Sequence, residues 1–403
     1  MRIPYAQSVH GKEEIDAVVK VLRGNTAVGD QTAEFEQRIA GLFGKKYGIM
    51  VNSGSSANMI AVELMNLPEG SEVITPLLTF STVVGPLVQK RLLPVFVDVV
   101  PGTYLLDIDQ VERAITKKTR AFMVPSLLGN VPDLRRLRRI ADAHKLLLVE
   151  DSCDTLGATI DGKPTGKYTD ITTTSFYGSH IINGAGGGGM VMVHDRALRG
   201  RAQILRGWGR ASSLLGESKA SENLAKRFQT SIDGILYDAK FVFSEMGYNF
   251  LPLELSAAFG LRQLDRLPKF SEIRSRNFSR LLSFFRQYER FFILPETAPH
   301  VVTNWLAFPL TIRDDAPFSR KDICTHLEKN DIQTRPVFTG NILRQPAFHS
   351  IPHKKAAENY PATEHVMRGG FVVGCHQGLT PKQIGYMEEV FKKFLISNIK
   401  FKI

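Results

Sequence analysis

The chain has 403 residues, 43% of them hydrophobic and 23% charged, with a formal net charge of +11. That length holds two or three domains around a large core, and the composition is that of a globular protein, not a disordered or fibrous one. No apolar run approaches the ~18 residues that span a bilayer, and Met1-Arg2-Ile3-Pro4 opens no signal-peptide core, so a cytoplasmic protein without membrane insertion is expected.

Strands and helices alternate through the first two thirds. Apolar or β-branched runs predict strands at 47–52, 72–76, 94–98, 120–125, 146–150, 172–176 and 189–194. Amphipathic patterns at 13–22, 32–43, 56–65, 82–90, 109–117 and 134–144 predict helices between most of them. Such alternation implies an α/β fold, a mostly parallel seven-stranded sheet flanked by helices. After residue 194 the rhythm breaks. Residues 211–243 are polar and without clear periodicity, the pattern of a long excursion reaching a neighbouring subunit or a substrate. Helices follow at 251–267, ending near Pro268, and at 270–285. A strand at 305–312 and helices at 320–330 and 381–394 read as a smaller α+β domain. The expected division is a large domain, 1–268, with an N-terminal helical segment, and a small C-terminal domain, 269–403.

Cys153, Cys324 and Cys375 show neither CxxC spacing nor a paired framework, against disulfide, zinc or iron-sulfur readings. The basic residues, Arg135, Arg136, Arg138 and Arg139 among them, fall mostly on predicted helices as solvated faces; a field favouring an anionic diphosphate is the second reading. No helix-turn-helix or aromatic-basic interleaving marks a nucleic-acid reader.

Four strand ends carry chemistry. Ser53-Gly54-Ser55-Ser56 follows a strand and opens a helix, so free backbone N–H groups, the positive helix end and hydroxyls make a phosphate cradle; alone, the same turn is an ordinary serine N-cap. Asp151 follows the 146–150 strand, where parallel sheets place ligands, and a carboxylate there can keep a pyridine nitrogen protonated; otherwise it is a loop or capping aspartate. Phe80 stacks on a planar ring or packs in the core. The fourth end is Ser175, followed by His180 in Ser175-Phe176-Tyr177-Gly178-Ser179-His180.

In this order the segments resemble the DegT/StrS-type sugar aminotransferases, fold type I pyridoxal-phosphate enzymes, over nearly the whole chain. Gly247-Tyr248-Asn249, Pro252-Leu253-Glu254-Leu255-Ser256, Arg335-Pro336-Val337-Phe338-Thr339-Gly340-Asn341 and Gly374-Cys375-His376-Gln377 carry the resemblance further. The branch most resembled lacks the Schiff-base lysine, and His180 stands in its place. That branch is the nucleotide-sugar 3-dehydratases, typified by GDP-4-keto-6-deoxymannose 3-dehydratase.

The resemblance implies a large domain that binds the cofactor, with Gly54, Ser55, Ser56 and Ser175 on its phosphate. Asn249 would reach the same phosphate from the partner subunit of a homodimer with shared active sites. Phe80 would stack on the ring, Asp151 pair with its nitrogen, Asp154 lie near its hydroxyl, and His180 act as catalytic base. Arg210, Arg335, Asn341, His376 and Gln377 would lie near the sugar nucleotide, each equally readable as a surface cap or solvated charge. An imidazole cannot hold pyridoxal phosphate covalently as an ε-amine does, so pyridoxamine 5'-phosphate would sit noncovalently. The implied reaction removes the C3 hydroxyl of an NDP-4-keto-6-deoxyhexose to give a 3,6-dideoxy-4-keto sugar, with L-glutamate regenerating the cofactor amine. An imidazole of ordinary pKa, near ~6.5, suits the proton removal. The alternatives are an aminotransferase using another lysine, for which Lys167 lies on the wrong side of Ser175, and a noncatalytic sugar-nucleotide-binding relative.

Leu205-Arg206-Gly207-Trp208-Gly209-Arg210 also resembles the CDP-sugar 3-dehydratases, which hold an iron-sulfur cluster on cysteines just beyond it. This chain has Ala211-Ser212-Ser213-Leu214 there, so neither a cluster nor another metal is expected. Leu251 replaces an arginine usual in relatives, and Gly184-Ala185-Gly186-Gly187-Gly188-Gly189 lacks their acidic residue. Both departures bear on substrate pose or on the amino-donor half-reaction.

Overall fold

A computed structural model of the chain describes residues 1–215 and 227–400. Seven strands form the main sheet: β1 (Tyr47–Val51), β2 (Glu72–Pro76), β3 (Leu93–Val97), β4 (Thr119–Pro125), β5 (Leu147–Asp151), β6 (Ile171–Ser175) and β7 (Gly189–Val193). Their order is β1-β7-β6-β5-β4-β2-β3, and the two-residue strand Lys354–Lys355 adds an eighth at the β3 edge. β7 runs antiparallel to β1 and β6, and the remaining pairs are parallel.

The helices preceding and covering this sheet are α1 (Lys12–Arg23), α2 (Asp30–Leu42), α3 (Gly54–Met65), α4 (Ser81–Gln89), α5 (Ile108–Arg113), α6 (Leu134–His144), α7 (Arg196–Arg206) and α8 (Glu254–Asp265). Side chains alternate between the two faces, as a strand period of two requires. Val73, Ala121, Met123, Val149 and Val191 pack with α3, α4 and α7. Their neighbours Ile74, Phe122, Val124 and Leu148 pack on the other side with α5 and α6, and Met190 and Met192 with α2 and α8. Burial on both faces explains the near-continuous apolar runs.

The second unit begins with α9 (Leu267–Arg286). The preceding helix ends at Asp265, near Pro268 as expected, and Pro268 itself lies in the first turn of α9, where its missing N–H costs nothing. Strands β8 (Phe308–Ile312) and β9 (Gly370–Val373), with the short strands Phe292–Ile293 and Arg335–Pro336, make a four-stranded antiparallel sheet. Helices α10 (Arg320–Lys329), α11 (Pro361–Gly369) and α12 (Pro381–Lys400) complete it. Its core of Phe285, Phe308, Phe371 and Phe391 also takes in Leu78, Leu127 and Leu128, from loops at the ends of β2 and β4. The small sheet is therefore packed onto the loops that carry the site.

Where pattern reading failed, local chemistry explains it. α7 lies in the stretch where the rhythm breaks: Asp195 caps it by accepting from Leu198 N at 2.8 Å, but its arginines mask the buried Ala202 and Leu205. The polar excursion contains a hairpin, Thr230–Ile232 with Ile235–Tyr237, turned at Asp233-Gly234, where both residues take positive φ (50° and 83°). Its middle, 216–226, lies outside the described residues. The predicted 109–117 helix ends at Arg113, and α11 and β9 lacked a periodic signal.

One glycine is fixed by contact. A Cβ on Gly189 would stand 2.2 Å from the Ser53 carbonyl oxygen and 2.6 Å from Gly54 N. Gly189→Ala is expected to lose ~3 kcal/mol of stability, because backbone cannot give way as a side chain can; a urea titration that finds no midpoint shift would contradict this.

Candidate active site

The carboxyl ends of the central strands open onto one pocket of ≈ 280 Å³. Ser53, Gly54 and Ser55 line it after β1, Phe80, Thr82 and Val83 after β2, and Pro125, Ser126 and Leu127 at the end of β4. Asp151, Cys153 and Asp154 come from β5, Ser175, Tyr177 and His180 from β6, Gly187 and Gly188 from the run before β7, and Phe338 from the small unit. Ligand sites in parallel sheets occupy this position.

The serine turn works through its backbone. Ser53 is the N-cap of α3 and its Oγ accepts from Ser56 N at 3.1 Å, which leaves the first N–H groups of the helix directed out of its end. Ser56 is not a pocket residue: its hydroxyl donates to Asn52 Oδ1 at 2.6 Å and its side chain is buried. Gly54 is required by close approach, since a Cβ would meet Ser175 Cβ at 2.6 Å and Cys153 Sγ at 2.9 Å. Main-chain donors, the Ser55 hydroxyl and Ser175 thus converge as an anion cradle.

Asp151 is held on both oxygens. Oδ1 accepts from Cys153 N at 3.0 Å and Oδ2 from Asn58 Nδ2 at 2.8 Å; Asn58 in turn accepts from Thr173 Oγ1 at 2.7 Å. Phe80, the residue before α4, leaves 47% of its surface open, so its ring is a free wall and not core packing. Phe338 crosses it edge to face at 6.0 Å between centroids. Cradle, carboxylate and aromatic wall fit a phosphorylated pyridine ring, and a carboxylate on the ring nitrogen would keep it protonated and electron-withdrawing.

Asp154 differs from Asp151. Burial pushes its carboxyl up to about 7, the Leu128 N–H donating to Oδ2 at 2.8 Å opposes this, and the neighbouring Asp151 charge adds to it. A raised carboxyl pKa favours the fold at low pH and withdraws that contribution as pH climbs from the unfolded value near ~3.9 through about 7. In cofactor-free protein, Asp154→Asn should therefore melt above wild type at pH ~8, with the gap closing towards pH ~4. Equal melting curves at both pH values would contradict it.

His180 sits on the turn after β6. Its backbone N–H donates to Tyr177 O at 2.9 Å, and its Nδ1 lies 3.3 Å from Ser175 O. A carbonyl only accepts, so Nδ1 carries the proton and Nε2 keeps the lone pair. Burial lowers the ring pKa to about 4, the Ser175 contact resists, and the buried Arg274 charge adds to the fall. The ordinary pKa of the sequence reading is therefore corrected: the imidazole is neutral at neutral pH, a proton acceptor always ready and correspondingly weak.

Other expected residues lie elsewhere. Asn249 is exposed, bridged to Gly207, and does not line the pocket. Arg210 stacks on Trp208, 4.2 Å from the ring centroid. Arg335 lies 5.3 Å from the Tyr5 ring centroid. Asn341 is a structural cap: it accepts from Leu343 N at 2.9 Å and donates to Glu364 at 2.6 Å. His376 is buried with both nitrogens engaged, Nδ1 by Gly378 N at 3.2 Å and Nε2 by Pro4 O at 3.1 Å. Gln377 is buried between Arg274 and the Ile181 carbonyl. None of these lines the pocket. Phe338, Cys153, Ser126 and Tyr177 line it without having been singled out, and Phe338 has φ 45°, a strained value for an aromatic residue. No periodicity marks such loop residues.

Residues 8–392 match the DegT/DnrJ/EryC1/StrS aminotransferase family. The lipopolysaccharide biosynthesis protein RfbH of Salmonella typhimurium is 34% identical over 403 aligned residues, 97% of this chain and 91% of that protein. The dTDP-4-dehydro-2,6-dideoxy-D-glucose 3-dehydratase of Saccharopolyspora spinosa is 36% identical over 95% of this chain and 84% of its own. Among solved structures, E. coli GDP-4-keto-6-deoxy-D-mannose-3-dehydratase with bound hydrated PLP superposes with a TM-score of 0.86 at 28% identity, covering 97% of this chain and 99% of that one. GDP-4-keto-6-deoxymannose-3-dehydratase with a trapped PLP-glutamate geminal diamine gives the same TM-score over 96% of this chain and 100% of that one. With sheet order, strand-end pocket and whole-length similarity in agreement, the chain belongs to the DegT/DnrJ/EryC1/StrS aminotransferase family.

Proposed function

We propose that the protein is a pyridoxamine/pyridoxal 5'-phosphate-dependent nucleotide-sugar 3-dehydratase. It removes the C3 hydroxyl of an NDP-4-keto-6-deoxyhexose to give a 3,6-dideoxy-4-keto sugar, and L-glutamate restores the cofactor amine. One observation carries this reading: His180 lines the pocket, and no lysine among the described residues does. Lys45, whose pKa burial lowers to about 8, is spent on the Thr169 and Asp170 carbonyls and does not reach the pocket. Lys167 packs beside Gly44. The 3-dehydratase names of relatives and of the superposed structures support the same reading.

When bound, pyridoxamine phosphate supplies an amine and an electron-withdrawing ring. The α3 turn, Ser55 and Ser175 would hold its phosphate, Phe80 would cover a ring face, and Asp151 would anchor the ring nitrogen. His180 moves protons at Nε2 while Nδ1 stays fixed on Ser175 O. Because His180 carries no primary amine, it cannot compete covalently for the cofactor, which leaves water to release the product. Asp154, whose carboxyl burial pushes up to about 7, would be the residue that shares a proton with the ring hydroxyl. A homodimer with shared sites accounts for the exposed Asn249, and the absence of cysteines in Ala211-Ser212-Ser213-Leu214 supports function without an iron-sulfur cluster. Among the described residues no helix is long and apolar enough to cross a membrane, in keeping with a cytoplasmic enzyme.

The test is direct. The purified protein is incubated with pyridoxal phosphate, glutamate and a panel of GDP-, CDP- and dTDP-linked 4-keto-6-deoxyhexoses, and ammonia and 3-deoxy product are measured. Conversion of glutamate to 2-oxoglutarate with an amino sugar formed and no ammonia would replace the dehydratase with an aminotransferase.

A further inference from the structure

The turn that carries His180 is held from the small unit by a buried relay. Arg274 on α9 is 1% exposed, and its hydrogen bonds end on neutral acceptors: Gln377 Oε1 at 2.6 Å, Trp305 O at 2.9 Å and Leu306 O at 3.1 Å. A buried guanidinium without a carboxylate is costly, and an apolar side chain of similar volume would fill the space with less penalty. Its orientation of Gln377 gives the charge a use. With Oε1 fixed by Arg274, the Gln377 amide can turn only its N–H outward, and Nε2 donates to Ile181 O at 3.1 Å. Ile181 follows His180, is 2% exposed, and its carbonyl receives no backbone donor within the turn. The same part of α9 grips the other side of the Gln377 loop, Asn277 Nδ2 donating to His376 O at 3.2 Å.

We propose that Gln377, oriented by Arg274, is a positioning residue for His180, fixing its ring through the Ile181 carbonyl. This rests on His180 being the base of the proposed reaction. It also gives Gln377 a role other than the sugar-nucleotide contact implied by resemblance. α9 and the Gln377 loop then act on the chemistry from outside the pocket, since they set where Nε2 stands. Loss of the Ile181 bond would let the turn relax, lengthen the 3.3 Å contact between Nδ1 and Ser175 O, and allow the proton to move to Nε2, which removes the lone pair the base needs.

Gln377→Glu separates positioning from packing. An ionised carboxylate still accepts from Arg274, more strongly, but has no N–H for Ile181 O. Gln377→Met removes both contacts. Three measurements are made on each form: melting temperature, the ¹⁵N ring signals of histidine-labelled protein without substrate (the His180 signal identified by its loss in His180→Asn), and kcat and KM. Gln377→Glu is expected to melt no lower than wild type, to shift His180 from the Nδ1–H form to a tautomer mixture, and to lose about 10- to 100-fold in kcat with KM little changed. An unshifted His180 signal with unchanged kcat in Gln377→Glu, together with a lower melting temperature in Gln377→Met, would reduce the relay to packing and overturn the proposal. A raised KM at constant kcat would overturn it in favour of a substrate contact. Because the ring signals are read without substrate, failure of every sugar to turn over would strike the dehydratase reading and leave positioning separately decided.

Discussion

His180→Asn is expected to lower kcat for 3-dehydration by about 10²- to 10⁴-fold while cofactor binding stays close to wild type. The asparagine amide can still donate to Ser175 O, so the turn after β6 keeps its anchor. What it lacks is a basic lone pair at the Nε2 position. The phosphate cradle, the Phe80 wall and Asp151 come from other strand ends and are untouched. Cofactor affinity measured by fluorescence quenching and ammonia release measured in the same preparation give the two readouts. Retention of more than about a tenth of wild-type kcat would assign the base elsewhere, Asp154 and Tyr177 being other titratable groups on the pocket wall. The neutral imidazole also predicts that proton abstraction by His180 holds as pH falls through 6 and fails only towards about 4.

Asp151→Asn should be nearly as damaging, about 10²- to 10⁴-fold in turnover, and should weaken the cofactor as well. The substitution is isosteric, but both aspartate oxygens are acceptors in use, by Cys153 N and by Asn58 Nδ2. An asparagine must present its NH₂ to one of those donors, leaving a buried group unpaired at about 1–3 kcal/mol. It also removes the only charge able to keep a ring nitrogen protonated at that position. Reorienting the Asn58 amide to accept would turn its NH₂ on Thr173 Oγ1, whose hydroxyl would then exchange its 2.7 Å bond to Asn58 for the longer 3.5 Å contact with Glu150 O, so the network adjusts only through a weaker bond. Normal cofactor affinity and turnover in Asp151→Asn would mean that this carboxylate does not meet the ring.

Much of the site was legible because it is written at strand ends. Ser53-Gly54-Ser55, Phe80, Asp151 and Ser175 each follow an apolar run, and parallel pairing carries those ends to one edge of the sheet whatever the intervening loops contain. The small unit offers no strand-end position of this kind. Asn341, His376 and Gln377 have residue types suited to a sugar nucleotide, yet each spends its polar atoms on the protein's own backbone or neighbouring side chains. Ser56 shows this within a single turn: its hydroxyl is consumed by Asn52 although Ser55, one residue away, faces the pocket. Phe338 reverses the case, an ordinary apolar residue brought to the pocket by a backbone angle that no sequence pattern encodes.

By itself the sequence determined the alternation of strands and helices, the chemistry at the strand ends, and the replacement of lysine by histidine, because these depend on period, position in the strand and residue type. Only the tertiary structure decided how basic His180 is, which proton it carries, and which polar residues of the small unit are free. Those properties depend on burial and on hydrogen-bond partners far along the chain, Arg274 and Gln377 among them, brought to the His180 turn by packing of the small sheet against the strand-end loops.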